Sequence, residues 1–224
     1  MKEATKPDVY LKNVRSYDRI AEEWDRYRRG KPVDPAVVSL ADRLPEGAEV
    51  LDVGCGTGIP IDRYLAGRGY LVTGIDPSGN MLEKAASLAL PGAVFLRSDL
   101  DGFRTEKTFD AAVAFDSLFH VPAEAQRAIY PKIASLLKPG GLFLFTHGKK
   151  AGEAKGTMFG EKFFYAALDR DDLVGCLEKA GLGIVELYED YSDPVTGERD
   201  LLVLAKKSEG TPRAETEEGT RCIP

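Results

Sequence analysis

Residues 49–85 read EVLDVGCGTGIPIDRYLAGRGYLVTGIDPSGNMLEKA, with glycines at every second position: Gly54, Gly56 and Gly58. The run EVLDV is short and apolar and reads as a buried parallel strand. IDRYLAGRG follows with helical spacing, Ile61, Tyr64 and Leu65 sharing a face and Gly67 and Gly69 stopping it. YLVTGID is the next strand. GNMLEKAASLA is the next helix, with Ser78 placed to cap it. A unit of this kind binds its ligand outside the carboxyl ends of the strands. Alternate glycines let a ligand lie against the main chain and take positive φ at little steric cost. A dinucleotide fingerprint needs its third glycine one residue later, where this chain has Ile59. Asp52, two residues before the loop, adds a negative charge that suits a ligand carrying positive charge rather than a pyrophosphate.

Working outward, AVFLRSD and FDAAVAFD are two more strands and GLFLFTH a fifth. AEAQRAIYPKIASLLK is expected to be one helix ended by PGG. DRDDLVGCLEKAG is another helix. GIVELYEDY and DLLVLAKK are expected to close the chain as a hairpin through SDPVTGER. Strand and helix alternate and then two strands meet, which predicts a parallel sheet covered on both faces, with one antiparallel strand near an edge. The expected organisation is an N-terminal helical segment over 1–45, a ligand-binding α/β domain over 46–207, and a tail over 208–224 too poor in apolar residues to fold.

The chain has 224 residues, 43% hydrophobic and 29% charged, with a net charge of −6. That length supplies one good core. The acidic balance argues against a nucleic-acid or anionic-membrane partner, which needs clustered Lys and Arg; DRYRRGK, the most basic run, reads as a solvated helix end. Three cysteines, Cys55, Cys176 and Cys222, form no metal motif and no paired framework. With no apolar leader and no membrane-length apolar run, the expected setting is cytoplasmic.

Three successive strands end in carboxylates: Asp52, Asp76 and Asp99. An acid at the position of Asp76 accepts hydrogen bonds from ribose hydroxyls. VLDVGCGTG, VTGIDPSGNMLEKA, RSDL, FDAAVAFDSLFHV and LLKPGGLFLFT, in that order, resemble the successive motifs of the class I S-adenosylmethionine-dependent methyltransferases. The resemblance implies a Rossmann-like, doubly wound α/β fold with a seven-stranded sheet of order 3-2-1-4-5-7-6, strand 7 antiparallel. It implies S-adenosylmethionine as cofactor and S-adenosylhomocysteine as product. Gly54, Cys55, Gly56 and Gly58 would border the methionine part, with Asp52 near its amino group. Asp76 would hold the ribose, Pro77 or Met81 would pack on the adenine, and Asp99 with Leu100 would meet its edge. Ala114, Phe115 and Asp116 would line the place where donor meets acceptor, and Tyr17 would stand near the cofactor's carboxylate.

Methyl transfer from a sulfonium needs positioning above all, and a general base where the acceptor must lose a proton. His120 in DSLFHVP and His147 in FLFTHG both follow strands on the ligand side; His120 is the candidate base, against a reading in which it only shapes the pocket. The helix of YDRIAEEWDRY puts Tyr17, Ile20, Ala21 and Trp24 on one face, as core packing or as a lid. Residues 147–170, Gly-rich and then aromatic, are a candidate substrate cap or a satellite core. The reading is methyl transfer to a small molecule, at O or N. Its alternatives are a cofactor-binding protein without transfer and a nicotinamide-dependent oxidoreductase. The oligomeric state and the acceptor are left open.

Overall fold

The computed structural model describes residues 8–192, 197 and 199–209. Its elements are α1 (Asp8–Arg29), α2 (Pro35–Ala41), β1 (Glu49–Val53), α3 (Ile61–Gly67), β2 (Leu71–Asp76), α4 (Gly79–Ser87), β3 (Ala93–Arg97), β4 (Phe109–Ala114), a single 3-10 turn (Leu118–His120), α5 (Ala123–Gln126), α6 (Ile129–Leu136), β5 (Leu137–His147), β6 (Gly152–Met158), β7 (Glu161–Ala167), α7 (Arg170–Lys179), β8 (Leu182–Ser192) and β9 (Arg199–Lys207). Seven strands form one sheet, ordered β3-β2-β1-β4-β5-β9-β8, and β6 with β7 form a separate hairpin. β1 to β5 run parallel, and β9 is antiparallel to both β5 and β8. With the hairpin set aside, this is the topology the sequence predicts.

The alternation of side chains along each strand divides the core into two layers. Leu51, Val53, Ala112, Phe143, Phe145 and Val203 face one side, packed on α6 and α7 through Ile133, Leu173 and Leu177. Val50, Val72, Val113 and Leu144 face the other, packed on α2 and α3 through Val37, Leu40 and Leu65. Both layers bury the central strands, so the sheet's edge at the carboxyl ends is where main chain and polar side chains remain open to a ligand.

Three local expectations need correction. The helix expected over 123–138 is broken into α5 and α6, because Pro131 has no N–H for the Arg127 carbonyl and its ring crowds that carbonyl. The PGG after it is no simple stop but a bulged start to β5, where Phe109 pairs with Leu137 and then Ala111 with Leu142. Residues 152–167 form a hairpin whose turn, Phe159 (φ 49°) and Gly160 (φ 81°), has the type I′ signature. The loop SDPVTGER lies largely outside the described residues, as does the expected tail beyond Glu209, with Cys222. Among the described residues no helix is long and apolar enough to cross a membrane.

Candidate active site

The glycine loop folds back over the end of β2: Gly54 and Cys55 both donate their N–H to Ile75 O, at 2.8 and 3.1 Å. Gly54 has φ +80°, and a Cβ there would stand 2.4 Å from Cβ of Ser117. Ser117 in turn donates its hydroxyl to Val53 O at 2.7 Å, locking the β4 loop against the β1 loop. Asp76 accepts Gly56 N–H on Oδ2 (3.0 Å) and Ser78 N–H on Oδ1 (2.8 Å). Burial outweighs those two bonds and pushes its carboxyl up to about 6. Ser78 caps α4, accepting from Met81 N at 3.2 Å, as expected.

Asp52 is buried, and burial pushes it up to about 7. Asp62, in the first turn of α3, is fully buried and is also held well above the usual carboxylate range, by burial and then by the charge of Asp52. Neither Asp62 oxygen receives a donor from elsewhere, and the group its carboxyl meets is that of Asp52. Two buried carboxyls facing each other favour keeping a proton between them, the direction in which both are shifted. The guanidinium of Arg28 acts against burial here, favouring charged Asp52.

Helix α1 roofs this cleft and is fastened on two sides. Toward α4, Asp18 accepts from Ser78 Oγ (2.6 Å) and Asn80 N (3.2 Å), Asn80 Nδ2 donates to Asp18 O (2.8 Å), and Lys84 pairs with Glu22. Toward the hairpin, Ser16 Oγ donates to Lys162 O (3.0 Å) and Arg19 pairs with Glu161 (2.7 Å). Asn13 bonds the β7 main chain twice: Nδ2 to Phe164 O (2.7 Å) and Oδ1 from Phe164 N (2.9 Å). Ile20, Ala21, Met81 and Phe163 form a small core of their own between α1, α4 and β7, with Tyr17 and Trp24 against it. Helix α1 therefore covers the cleft, and its apolar stripe is packed against α4 and β7.

His120 sits at the end of the 3-10 turn, buried, beneath Phe119, Phe163 and Tyr165. Its Nδ1 lies 3.0 Å from Phe164 O and 3.0 Å from Asn13 Nδ2, and its Nε2 lies 2.7 Å from the Tyr17 hydroxyl. Burial pulls the imidazole down to about 4, so it is neutral at neutral pH. His147 is fully buried elsewhere, bonded to Gly148 O (2.9 Å), Gln126 Oε1 (3.2 Å) and Leu168 N (3.3 Å). It ties β5 to the chain after β7 and lies off the cavity wall.

One cavity of about 430 Å³ runs under α1 along the carboxyl edge of the sheet, from Arg28 and Trp24 past Asp52 and the loop to Asp76, Asp99 and Lys132. It brings together Tyr17, Asp52, Gly54, Cys55, Gly56, Asp76, Pro77, Met81, Asp99, Leu100, Phe115, Asp116 and His120. Gly58 and Ala114 stand off its wall. Space at Gly58 is closed by Leu88, Phe95 and Ala85, so this glycine serves packing between α4 and β3; Ala114 is fully buried in the sheet core. Asp116 has φ 52°, held by its N–H to Thr146 Oγ1 at 2.8 Å. Asp99 accepts Gly102 N–H at 2.8 Å and bonds the Tyr10 phenol, whose pKa is driven up by burial and by Asp99.

Sequence reasoning missed Asn13, Asp62 and above all Arg28. Arg28 is no solvated helix end: it is buried, its guanidinium lies 5.3 Å from the Trp24 ring, and its Nε and Nη1 have no partner among the described residues. The signal was present, since Arg28 continues the stripe of Tyr17, Ala21 and Trp24 by one more helical turn. These residues fit the cofactor that the motifs imply. A buried guanidinium with Nε and Nη1 unpartnered suits a carboxylate, and Asp52 beside it suits an ammonium. Asp76, with lone pairs left, suits a ribose diol, and Pro77, Met81 and Leu100 offer apolar surface to a base.

A family profile described as "Methyltransferase domain" matches residues 50–141. A ubiquinone biosynthesis O-methyltransferase of Saccharophagus degradans is 32% identical over 210 residues, covering 82% of this chain and 86% of that one. A protein named as a methyltransferase from Geobacillus sp. (strain WCH70) is 36% identical over 143 residues, covering 58% and 56%. The chain spans about half the length of two of the curated relatives it matches, 56% and 46%. In fold it resembles the 1,6-didemethyltoxoflavin-N1-methyltransferase of Burkholderia thailandensis, solved with 1,6-didemethyltoxoflavin and S-adenosylhomocysteine: TM-score 0.69, 20% identity, 93% of each chain covered. Motifs, sheet order, cavity chemistry and a relative matched over most of its length agree: the chain belongs to the class I S-adenosylmethionine-dependent methyltransferases.

Proposed function

We propose that this chain transfers a methyl group to a hydroxyl or amine of a small organic molecule. The observation that carries the reading is that one cavity is lined both by Arg28, Asp52, Asp76 and Leu100, whose chemistry suits the cofactor, and by Tyr17, Phe115, Asp116 and His120. When bound, the cofactor supplies a methyl group on a positively charged sulfur, already electrophilic. The protein's share is to align, to exclude water and to accept polar hydrogens.

In this reading Arg28 holds the carboxylate of the methionine part and Asp52 its ammonium. Asp76 takes the ribose hydroxyls, and Pro77, Met81, Leu100 and Asp99 bound the adenine. Gly54 to Gly56 lets the main chain approach, with Trp24 Nε1 closing over Gly56, 3.6 Å from where a Cβ would stand. α1 and the β6–β7 hairpin keep water out, and the Tyr17–His120 pair meets the acceptor. A net charge of −6 and a cavity roofed by α1 favour a small acceptor over nucleic acid, and a cytoplasmic setting accompanies the reading. The S. degradans relative is named for O-methylation and the B. thailandensis neighbour for N1-methylation, and both atoms are retained as targets.

Incubation with S-[methyl-¹⁴C]adenosylmethionine and a panel of small phenols and amines tests this. Label transfer that depends on the acceptor and falls with Asp76→Ala is expected. Tight binding of S-adenosylhomocysteine with no transfer to any acceptor would instead assign the chain a cofactor-binding role without turnover.

A further inference from the structure

Three polar atoms meet behind the acceptor half of the cavity: Asn13 Nδ2, His120 Nδ1 and Phe164 O, separated by 2.7, 3.0 and 3.0 Å. They form a nearly equilateral triangle, and a neutral imidazole can complete it in two ways. In one, Nδ1 carries no proton and accepts from Asn13. The two N–H bonds of the Asn13 amide would then have to converge on neighbouring directions, although they diverge widely. Two lone pairs, on Nδ1 and Phe164 O, would also face each other at 3.0 Å. In the other, Nδ1 carries the proton, and both it and Asn13 donate to Phe164 O. A carbonyl has two lone pairs and accepts both. Asn13 is itself fixed, because its Oδ1 accepts Phe164 N–H at 2.9 Å, so its amide cannot flip.

With the proton on Nδ1, Nε2 is bare. It faces the Tyr17 hydroxyl at 2.7 Å, and that hydroxyl must donate. A phenol has one hydrogen. Tyr17 has spent it on His120, and what its oxygen turns toward the cavity is lone pairs.

Resting on the methyl-transfer reading, we infer that Tyr17 meets the methyl acceptor with its oxygen as a hydrogen-bond acceptor only, and that His120 and Asn13 are positioning residues that fix this polarity. The methyl acceptor therefore carries a hydrogen on the atom to be methylated: a hydroxyl or an N–H, not a tertiary amine or a thioether. The Tyr17 oxygen holds that X–H in place and leaves a lone pair of the nucleophile free: as the X–C bond would form and the C–S bond of the donor break, releasing S-adenosylhomocysteine, the X–H proton would pass to the Tyr17 oxygen and the Tyr17 proton to bare His120 Nε2, 2.7 Å away. This deepens the proposed function by setting the substrate class from the protein's own hydrogen-bond polarity. It also gives the three aromatic rings around His120 a part, since they hold the imidazole in the orientation that this tautomer needs.

The test is ¹⁵N NMR of histidine-labelled protein, free and with S-adenosylhomocysteine, at pH 7. The chain has two histidines, and His120→Gln assigns the signals. The proton is expected on Nδ1 of His120, with Nε2 shifted as a hydrogen-bond acceptor. Tyr17→Phe should keep the tautomer but move the Nε2 signal toward that of an unbonded nitrogen. Asn13→Ala should let the second tautomer appear. A proton on Nε2 in the unaltered protein overturns the inference. In kinetics, Tyr17→Phe should lower kcat/KM for phenols and amines about 10-fold or more, while affinity for S-adenosylhomocysteine changes less than about 3-fold. A matching loss of S-adenosylhomocysteine affinity, or equal turnover of tertiary amines, would place Tyr17 on the cofactor instead and contradict the assignment. Failure of S-adenosylhomocysteine to bind the unaltered protein would strike the methyltransferase reading itself, and the tautomer result is independent of it.

Discussion

Asp76 ends β2 with a backbone N–H already on each carboxylate oxygen, at 3.0 and 2.8 Å, so its orientation is set before any ligand arrives. Removing it should therefore cost binding, and also some stability, because the Gly56 and Ser78 N–H groups lose their acceptor. Asp76→Ala is expected to weaken S-adenosylhomocysteine binding about 100-fold by calorimetry, the loss of a charged acceptor for two hydroxyls; unchanged affinity would deny Asp76 the ribose. Charge matters at the same scale. Asp52 and Asp76 have native-state pKa values raised to about 7 and about 6. A carboxyl raised in the folded state contributes stability below its ordinary pKa of about 3.9 and loses it as pH climbs through the folded value. Between about pH 4 and 7 the free protein thus gives up stability at these two groups. Their charged forms are the ones an ammonium and a ribose need, so binding restores it. The melting-temperature rise produced by S-adenosylhomocysteine should be larger at pH 8 than at pH 5.5. Asp62→Asn, which puts an amide donor beside Asp52 in place of a carboxyl, should flatten that dependence.

Each element sets those side chains by a backbone requirement that single changes can probe. In the glycine loop, Gly54→Ala meets both a φ of +80° and a contact at 2.4 Å with Ser117, and should destabilise by about 3 kcal/mol or more in denaturant unfolding. Gly67 in α3 has nothing within 4 Å of an added Cβ and no positive φ, so Gly67→Ala should be neutral or stabilising by up to about 1 kcal/mol. The β6–β7 hairpin depends on α1 through Asn13, and Asn13→Ala should speed hydrogen exchange at Phe164 N–H and its neighbours while β1 and β4 stay protected. What could be read from sequence at this scale follows the same division. The loop, Ser78 and the strand-end acids were legible because glycine spacing, caps and buried apolar runs are local signals. The hairpin was not: GEAKGTM is exposed on both faces and carries no alternation, and only its Phe159–Gly160 turn hinted at it. The break before Pro131 was hidden by the helical apolar spacing that continues across it. Arg28 and Asp62 look like ordinary surface charges until α1 and α3 are laid against the cleft.

At the scale of the whole molecule, a doubly wound sheet opens one edge, and a helix from before the first strand closes it. α1 reaches every part of the cavity: Tyr10 at Asp99, Tyr17 at His120, Trp24 over Gly56 and Arg28 by Asp52. It is fastened to α4 and to the hairpin by side-chain bonds that water can replace, so cofactor entry and product release are expected to require its displacement. The chemistry of this roofed cleft suits a sulfonium-bearing nucleoside and not a nicotinamide dinucleotide. Parallel calorimetric titrations of the unaltered protein with S-adenosylhomocysteine and with NADH test it most directly. One-to-one binding of S-adenosylhomocysteine is expected, with a Kd of about 10 μM or tighter, near −7 kcal/mol, and no heat from NADH beyond dilution. Binding of NADH with no response to S-adenosylhomocysteine would contradict it.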